Sequence, residues 1–408
     1  MLRPPMPNRP GTVPRCPTEA DWHFWRERRL PRERVHLDSA AAGQASVGTL
    51  RAAARHAERE VVLGAYVAQA EAAPVLGEGQ AALAGLLGVP VAGLAFVENA
   101  HVALDLLLRT WPLADGDVIA VVPSEWGPNL HAFARRGLSL TEIGVDAGGV
   151  VDLADLERVL DTLGPALVHI TQVASHRPLV QPVAEAAAVC HAAGVPLWVD
   201  AAQSIGHVNT ACGADAIYAT SRKWLAGPRG VGMLGVAEPW WDKLEIDAPE
   251  LQLSGQPADA SPVWLLQSAE AHIAGRIGLC HAVQEFIEAG PERVWRRLAE
   301  VGRQTREALA GLPGWSVVAA AGPSPAGSLS AGSPGVGSAT TALRATAGQD
   351  IAVVRARLLD EHGIVTSVCG VPRAPREMTE PLLRVSPHVD CTPDDLDLLR
   401  NALQAVSR

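Results

Sequence analysis

Two short segments hold residue types that could carry covalent chemistry. In PLWVDAAQSIGH, residues 196–207, an apolar run ends in Asp200 and small residues follow, Gln203 among them. In AIYATSRKWLAGPRGVGML, residues 216–234, Lys223 stands among hydroxyl, cationic and glycine residues between two strand-like runs. Ligands of open α/β sheets bind beyond the carboxyl ends of strands, so an acid at a strand end faces a cleft. Alone, a strand-end Asp caps the next helix and a loop Lys is solvated. Together they offer a specific chemistry. A lysine amine can bond an aldehyde carbon and later move a proton. A carboxylate can keep a heteroaromatic nitrogen protonated, so that the ring absorbs electrons from a carbanion. That pairing is what pyridoxal 5′-phosphate (PLP) needs, and it makes Lys223 the expected catalytic residue.

A phosphate needs backbone amides and a helix N-terminus. The run FVENAHVALDLLLR, residues 96–109, supplies a strand, a turn and a helix starting near His101. The N–H groups of Ala100 and His101 are the expected donors, with Asn99 expected beside them at the cofactor; the plain alternative is a helix that Asn99 merely caps.

The elements that must position these residues alternate in type. Strands are predicted at 94–97, 118–122, 166–170, 196–199, 214–219 and 231–236, with helices over 101–111, 153–163 and 183–193. This predicts an α/β fold, a mostly parallel sheet covered on both faces. A helix is predicted from Ala45 to about Ala72, with a second near 77–87. After Pro262 a long helical run reaches about Ala289, and another spans 292–312. A Gly/Ser/Pro/Ala-rich stretch at 319–338 reads as a mobile loop. From Ala339 onward the pattern is strand, helix, strand, strand, helix, suiting a small α+β domain. The expected division is a flexible tail over 1–20, a segment over 21–45 packing with the small domain, a large domain over 46–262, and a connecting helix with the small domain over 263–408.

The chain has 408 residues, 48% hydrophobic and 19% charged, with a formal net charge of −10. That composition suits a globular protein, and without a basic cluster it argues against a nucleic-acid partner. No apolar run approaches the ~20 residues that cross a bilayer, and prolines interrupt the N-terminus, so the expected location is the cytoplasm, with no membrane partner. The six cysteines form no CxxC pair and no metal-spaced cluster; free thiols and no metal are expected.

These segments resemble the class V aminotransferase family of fold-type I PLP enzymes, which includes cysteine desulfurases. The likeness runs from about Val35 to the C-terminus: HLDSAAAG at 36–43, SEWGPN at 124–129, VDAAQSIGH at 199–207, TSRKWLAGPRGVG at 220–232 and RVSPHVDCTPDDLDLL at 384–399. The resemblance implies a seven-stranded sheet in the large domain. It implies that Lys223 holds the cofactor, that Asp200 pairs with the pyridine nitrogen and that Gln203 bonds the ring hydroxyl oxygen. Thr220 and Arg222 would bind the phosphate, and Trp126 would stack on the ring. Arg384 would grip the substrate α-carboxylate through a two-pronged contact. His176 falls at a cofactor-proximal position and is expected near the substrate. The family also implies a homodimer, although the run 270–278 lacks the threonine that desulfurases lend to a partner's phosphate site.

Within the family, residues 58–72, the EWGPN turn and residues 269–279 resemble carbon–sulfur lyases acting on an amino-acid sulfoxide that carries a trimethylammonium group. A sulfenate leaves readily, so that reaction needs little help at sulfur. Aromatic faces suit the quaternary cation, and Trp126, Trp224, Trp240 and Trp241 are the candidates. The alternative is a desulfurase or selenocysteine lyase, which needs a persulfide cysteine. Cys369 lies in the corresponding stretch, 363–378, but out of register. A non-catalytic binding protein of the same fold is the remaining alternative, and it predicts that Lys223 is dispensable.

Overall fold

A computed structural model describes residues 22–247, 261–268, 270–320 and 337–406. The tail expected over 1–20, and residues 321–336 of the loop expected over 319–338, lie outside them.

The chain enters through α1 (His23–Glu27) and β1 (Val35–His36), then two long helices, α2 (Val47–Leu63) and α3 (Ala65–Leu87). There follow β2 (Leu94–Val97), α4 (Ala100–Thr110), β3 (Val118–Val121), α5 (Gly127–Arg135), β4 (Ser139–Glu142), α6 (Leu153–Leu163), β5 (Leu167–Thr171), α7 (Val183–Ala192), β6 (Leu197–Asp200), β7 (Ala216–Thr220) and β8 (Gly232–Val236). These strands form one seven-stranded sheet in the order β2-β8-β7-β6-β5-β3-β4. β8 is antiparallel to both neighbours and the other pairs are parallel. β5, β6, β7 and β8 are buried along their whole length, which is why they read as mainly apolar runs. The edge strand β4, Ser-Leu-Thr-Glu, is partly exposed and gave no such signal.

Two helices, α8 (Ile273–Ala289) and α9 (Pro291–Leu309), lead to a smaller antiparallel sheet. It comprises β9 (Trp315–Val317), β10 (Thr341–Ala345), β12 (Ser367–Cys369) and β13 (Leu382–Val385), in the order β12-β13-β10-β9. α10 (Ile351–His362) and α11 (Pro393–Val406) cover it, and the two-residue β11 (Ile364–Val365) pairs in parallel with β1. Leu37 shares a core with Leu358, Leu383 and Leu399, so the N-terminal segment is packed into this smaller layer.

Two helix boundaries depart from the sequence reading. The first long helix ends at Leu63, because Gly64 takes a positive φ of 87° that favours glycine. α3 then runs on through Pro74, where burial of Ala68, Leu83 and Leu87 on either side outweighs the lost backbone bond. α8 begins only at Ile273; the stretch after Ser261 is a short 3-10 turn, Pro262–Leu266.

Candidate functional site

β2, β3, β5, β6 and β7 point the same way, and the loops at their carboxyl ends open on a cavity of about 460 Å³, within the usual range for a small ligand. Asn99, Ala100, His101, Trp126, Asp200, Gln203, Thr220, Arg222, Lys223 and Arg384 all line it.

Asp200 ends β6 and is almost wholly buried. Its Oδ2 accepts from Asn129 Nδ2 at 2.9 Å and its Oδ1 from the Ala202 amide at 2.8 Å. Burial raises its pKa, repulsion from Glu125 adds to that, and Lys223 and the two hydrogen bonds oppose it. Such a carboxylate gains from a cation placed against it.

Lys223 stands in the tight turn after β7. Ala226 closes that turn, its amide donating to Lys223 O at 3.0 Å, and adopts a φ of 51°. It is the one non-glycine residue with positive φ among the described residues, a strain of the kind stored at functional sites. The N-terminal segment packs on this turn: Gly43 N donates to Arg222 O at 2.7 Å, and a Cβ at Gly43 would collide with Lys223 O. Burial lowers the Lys223 pKa to about 7; Asp200 opposes the shift, while Arg222, Arg384 and Arg373 reinforce it. Near neutral pH the amine is therefore substantially unprotonated, the form that attacks an aldehyde or accepts a proton.

Behind Asp200 runs a buried polar chain. Glu125 Oε1 accepts from Asn129 Nδ2 at 2.9 Å, Thr171 Oγ1 at 2.6 Å and the Trp126 amide at 2.8 Å. Its Oε2 lies 2.8 Å from His169 Nδ1, and His169 Nε2 lies 2.9 Å from the Tyr218 hydroxyl. These partners fix the tautomer: Nδ1 donates to the carboxylate and Nε2 accepts from tyrosine. Burial acts to raise the Glu125 pKa, but His169, Thr171 and Asn129 outweigh it and hold the carboxyl below its ordinary value.

Gln203 Nε2 donates to Ala40 O and its Oε1 accepts from Trp224 Nε1, both at 2.9 Å. One amide hydrogen is left for a ligand. At the head of α4, Asn99 Oδ1 accepts from the amides of His101 at 2.9 Å and Val102 at 3.1 Å. This corrects the expectation of two free donors there. The cap takes the His101 N–H, and only the Ala100 amide remains open. Thr220 and Arg222 line the same cavity.

Arg384 is fully buried and held by three segments: Nε donates to Ser367 Oγ at 3.0 Å, Nη1 to Ser175 O at 2.7 Å and Nη2 to Asp38 Oδ1 at 3.3 Å. His176 is not brought to the cavity. Its buried ring lies 3.3 Å from Glu377, which Arg177 also contacts. Of the tryptophans, Trp126 alone lines the cavity. Trp224 is buried with its ring on His207, and Trp240 and Trp241 pack in the core cluster around Trp111. Cys369 is buried with its Sγ 3.8 Å from Ser175 O and does not line the cavity. Sequence reasoning missed Asn129, Thr171, Ser175, Arg229, Ser367 and Arg373 as lining residues. Glu125 and Asn129, four apart across a helix start, were the one pair whose spacing carried a hint.

The donor set fits pyridoxal phosphate: an unprotonated amine, a buried carboxylate short of a cation, a half-free amide and an anion cradle share one cavity. Among the described residues no cluster of His, Cys, Asp or Glu could hold a metal ion.

The aminotransferase class-V family profile matches residues 35–399. A probable hercynylcysteine sulfoxide lyase of Mycobacterium tuberculosis is 43% identical over 94% of this chain and 93% of its own. A cysteine desulfurase of Dickeya dadantii is 29% identical over 68% of this chain and 71% of its own. Among solved structures, the apo cysteine desulfurase of Thermococcus onnurineus NA1 superposes with a TM-score of 0.76 at 22% identity, covering 92% of this chain and 94% of its own.

Proposed function

The chain belongs to the class V aminotransferase family and is a PLP-dependent enzyme, and from that premise we propose that it cleaves the carbon–sulfur bond of hercynylcysteine sulfoxide. The products of the elimination are the sulfenic acid of ergothioneine, pyruvate and ammonia, and a two-electron thiol reductant from solution then converts the sulfenic acid to ergothioneine and water. The observation that carries this reading is that Lys223 and Asp200 share a cavity in which, among the described residues, no cysteine stands.

Bound here, the cofactor supplies a sink for the electron pair left on the substrate α-carbon. Asp200, Gln203, Thr220, Arg222 and the Ala100 amide are the residues that would hold it. Arg384 orients the α-carboxylate with the two N–H groups not already engaged. The unprotonated Lys223 amine takes the α-proton, and the Cβ–S bond then breaks with its electron pair leaving on the sulfenate. No protein thiol receives the sulfur, whereas desulfuration needs one. The three-carbon remainder hydrolyses to pyruvate and ammonia.

Incubation with hercynylcysteine sulfoxide and a reductant tests the proposal. Stoichiometric ergothioneine and pyruvate are expected; alanine as the three-carbon product would assign the chain to desulfuration instead. The reading includes a cytoplasmic homodimer. Val61, Val62, Tyr66 and Val67, on either side of Gly64, are more than half exposed, apolar surface of the kind a second copy would cover. Sedimentation of the holoenzyme as a monomer at micromolar concentration would remove that part.

A further inference from the structure

Arg373 lines the cavity but has no place in the scheme above. It sits at the end of the turn Val371–Arg373, between β12 and β13. That turn is seated firmly on the large layer. A Cβ at Gly127 would overlap Pro372 O and approach Pro375, so the turn rests directly on the head of α5, next to Trp126. Arg373 therefore enters the cavity from the smaller layer, which also carries Arg384 and Ser367, and Arg222 is near enough to feel the charge of both arginines.

The two arginines of this wall differ in their partners. Arg384 has a carboxylate of its own, Asp38, and two further acceptors. The Arg373 guanidinium is half-buried and makes no hydrogen bond or ion pair among the described residues. Burial lowers its pKa and the positive charge of Arg384 adds to that, while Cys369 and Asp38 act the other way. A guanidinium drawn partly out of water beside another cation is costly until an anion reaches it.

We propose that Arg373 binds an anionic group on the sulfur-bearing half of the substrate, so that the site selects cysteine sulfoxides whose leaving group carries a carboxylate. The inference rests on the carbon–sulfur lyase reading for which half of the substrate leaves. Arg384 then holds the carboxylate that stays with the three-carbon product, and Arg373 the one that departs with sulfur. Fixing both ends sets the Cα–Cβ–S segment against Lys223, which a single anchor leaves free to swing.

Two probes differing only in that group test it: S-(2-carboxyethyl)-cysteine sulfoxide and S-methyl-cysteine sulfoxide, with the holoenzyme and with Arg373→Ala and Arg373→Lys. Wild type should favour the carboxylated probe by about 10–100-fold in kcat/KM, the worth of a charge-assisted contact. Arg373→Ala should bring the two probes to within about threefold, chiefly by raising KM for the carboxylated one, and Arg373→Lys should restore part of the preference. Calorimetric binding of the thioether S-(2-carboxyethyl)-cysteine against S-methyl-cysteine gives the same comparison without turnover. Discrimination in binding, with no pyruvate from either sulfoxide or from hercynylcysteine sulfoxide itself, would sink the lyase reading and leave Arg373 as an anion site. Pyruvate from both probes with no preference in wild type, or an equal loss on both in Arg373→Ala, would overturn the assignment of Arg373.

Discussion

At the scale of single residues, chemistry rests on the state of one amine. Lys223 is an ordinary lysine by sequence, and its one cationic neighbour, Arg222, does not by itself announce a pKa near 7. Burial and three arginines on three different segments produce that value. What the sequence did disclose was the company Lys223 keeps with Asp200, because both stand at strand ends whose apolar runs are easily recognised. The consequence is measurable in the apoprotein. Capture of an aldehyde needs the unprotonated amine, so its rate should rise with pH through a midpoint near 7 rather than the ordinary 10.5. Stopped-flow absorbance with pyridoxal phosphate between pH 5.5 and 9 reads this directly; a rate still climbing tenfold per unit above pH 8.5 would show that burial does not lower this amine. His176 marks where residue-level reading stops. Its sequence position suggested the site, but its ring turns to Glu377.

At the scale of elements, the site is built by strand order. β3, β5, β6 and β7 are separated in sequence by helices and loops, yet their adjacency threads Asp200, Asn129, Glu125, His169 and Tyr218 into one buried chain. Beyond the local pair Glu125 and Asn129, no spacing rule could have found it, since its other members touch only once the sheet forms; the strands themselves were legible within a residue or two. Elements with weaker apolar signals were not, as the partly exposed β4 and the proline-containing α3 show. The chain fixes Asn129, and through it Asp200 Oδ2. Tyr218→Phe leaves His169 Nε2 without a donor in the core, at a cost of about 1–3 kcal/mol. The variant should therefore unfold at lower urea than wild type while retaining cofactor. Because the His169–Glu125 bond survives, its kcat should fall by less than about tenfold. Loss of cofactor binding with unchanged stability would place Tyr218 in direct contact with the ligand instead.

At the scale of the whole molecule, the cavity lies where the two sheets meet, and a column of rings ties that junction. Trp25 stacks on His388 with centroids 5.0 Å apart, His388 lies 6.1 Å from Trp224, and Trp224 is 3.9 Å from His207. Trp224 directly follows Lys223, so the column carries the catalytic turn between the N-terminal helix and the segment after β13. Both histidines are held neutral. His207 donates Nδ1–H to Gln203 O and accepts the Ala339 amide at Nε2, while His388 Nε2 donates to Trp224 O. Burial lowers their pKa values to about 3 and about 4. The unfolded chain takes up protons at both positions near pH 6.5, and the folded one does so only well below. Between about 6.5 and 4 the unfolded state binds more protons, and stability falls as pH falls. Each histidine contributes up to about 1.4 kcal/mol per pH unit within that window. Urea midpoints measured from pH 7 to pH 5 should decline accordingly. His388→Gln should flatten the decline even where it lowers the midpoint at pH 7, because a glutamine has no proton to take up. An unchanged slope in that variant would mean that the column is not what couples the junction to pH.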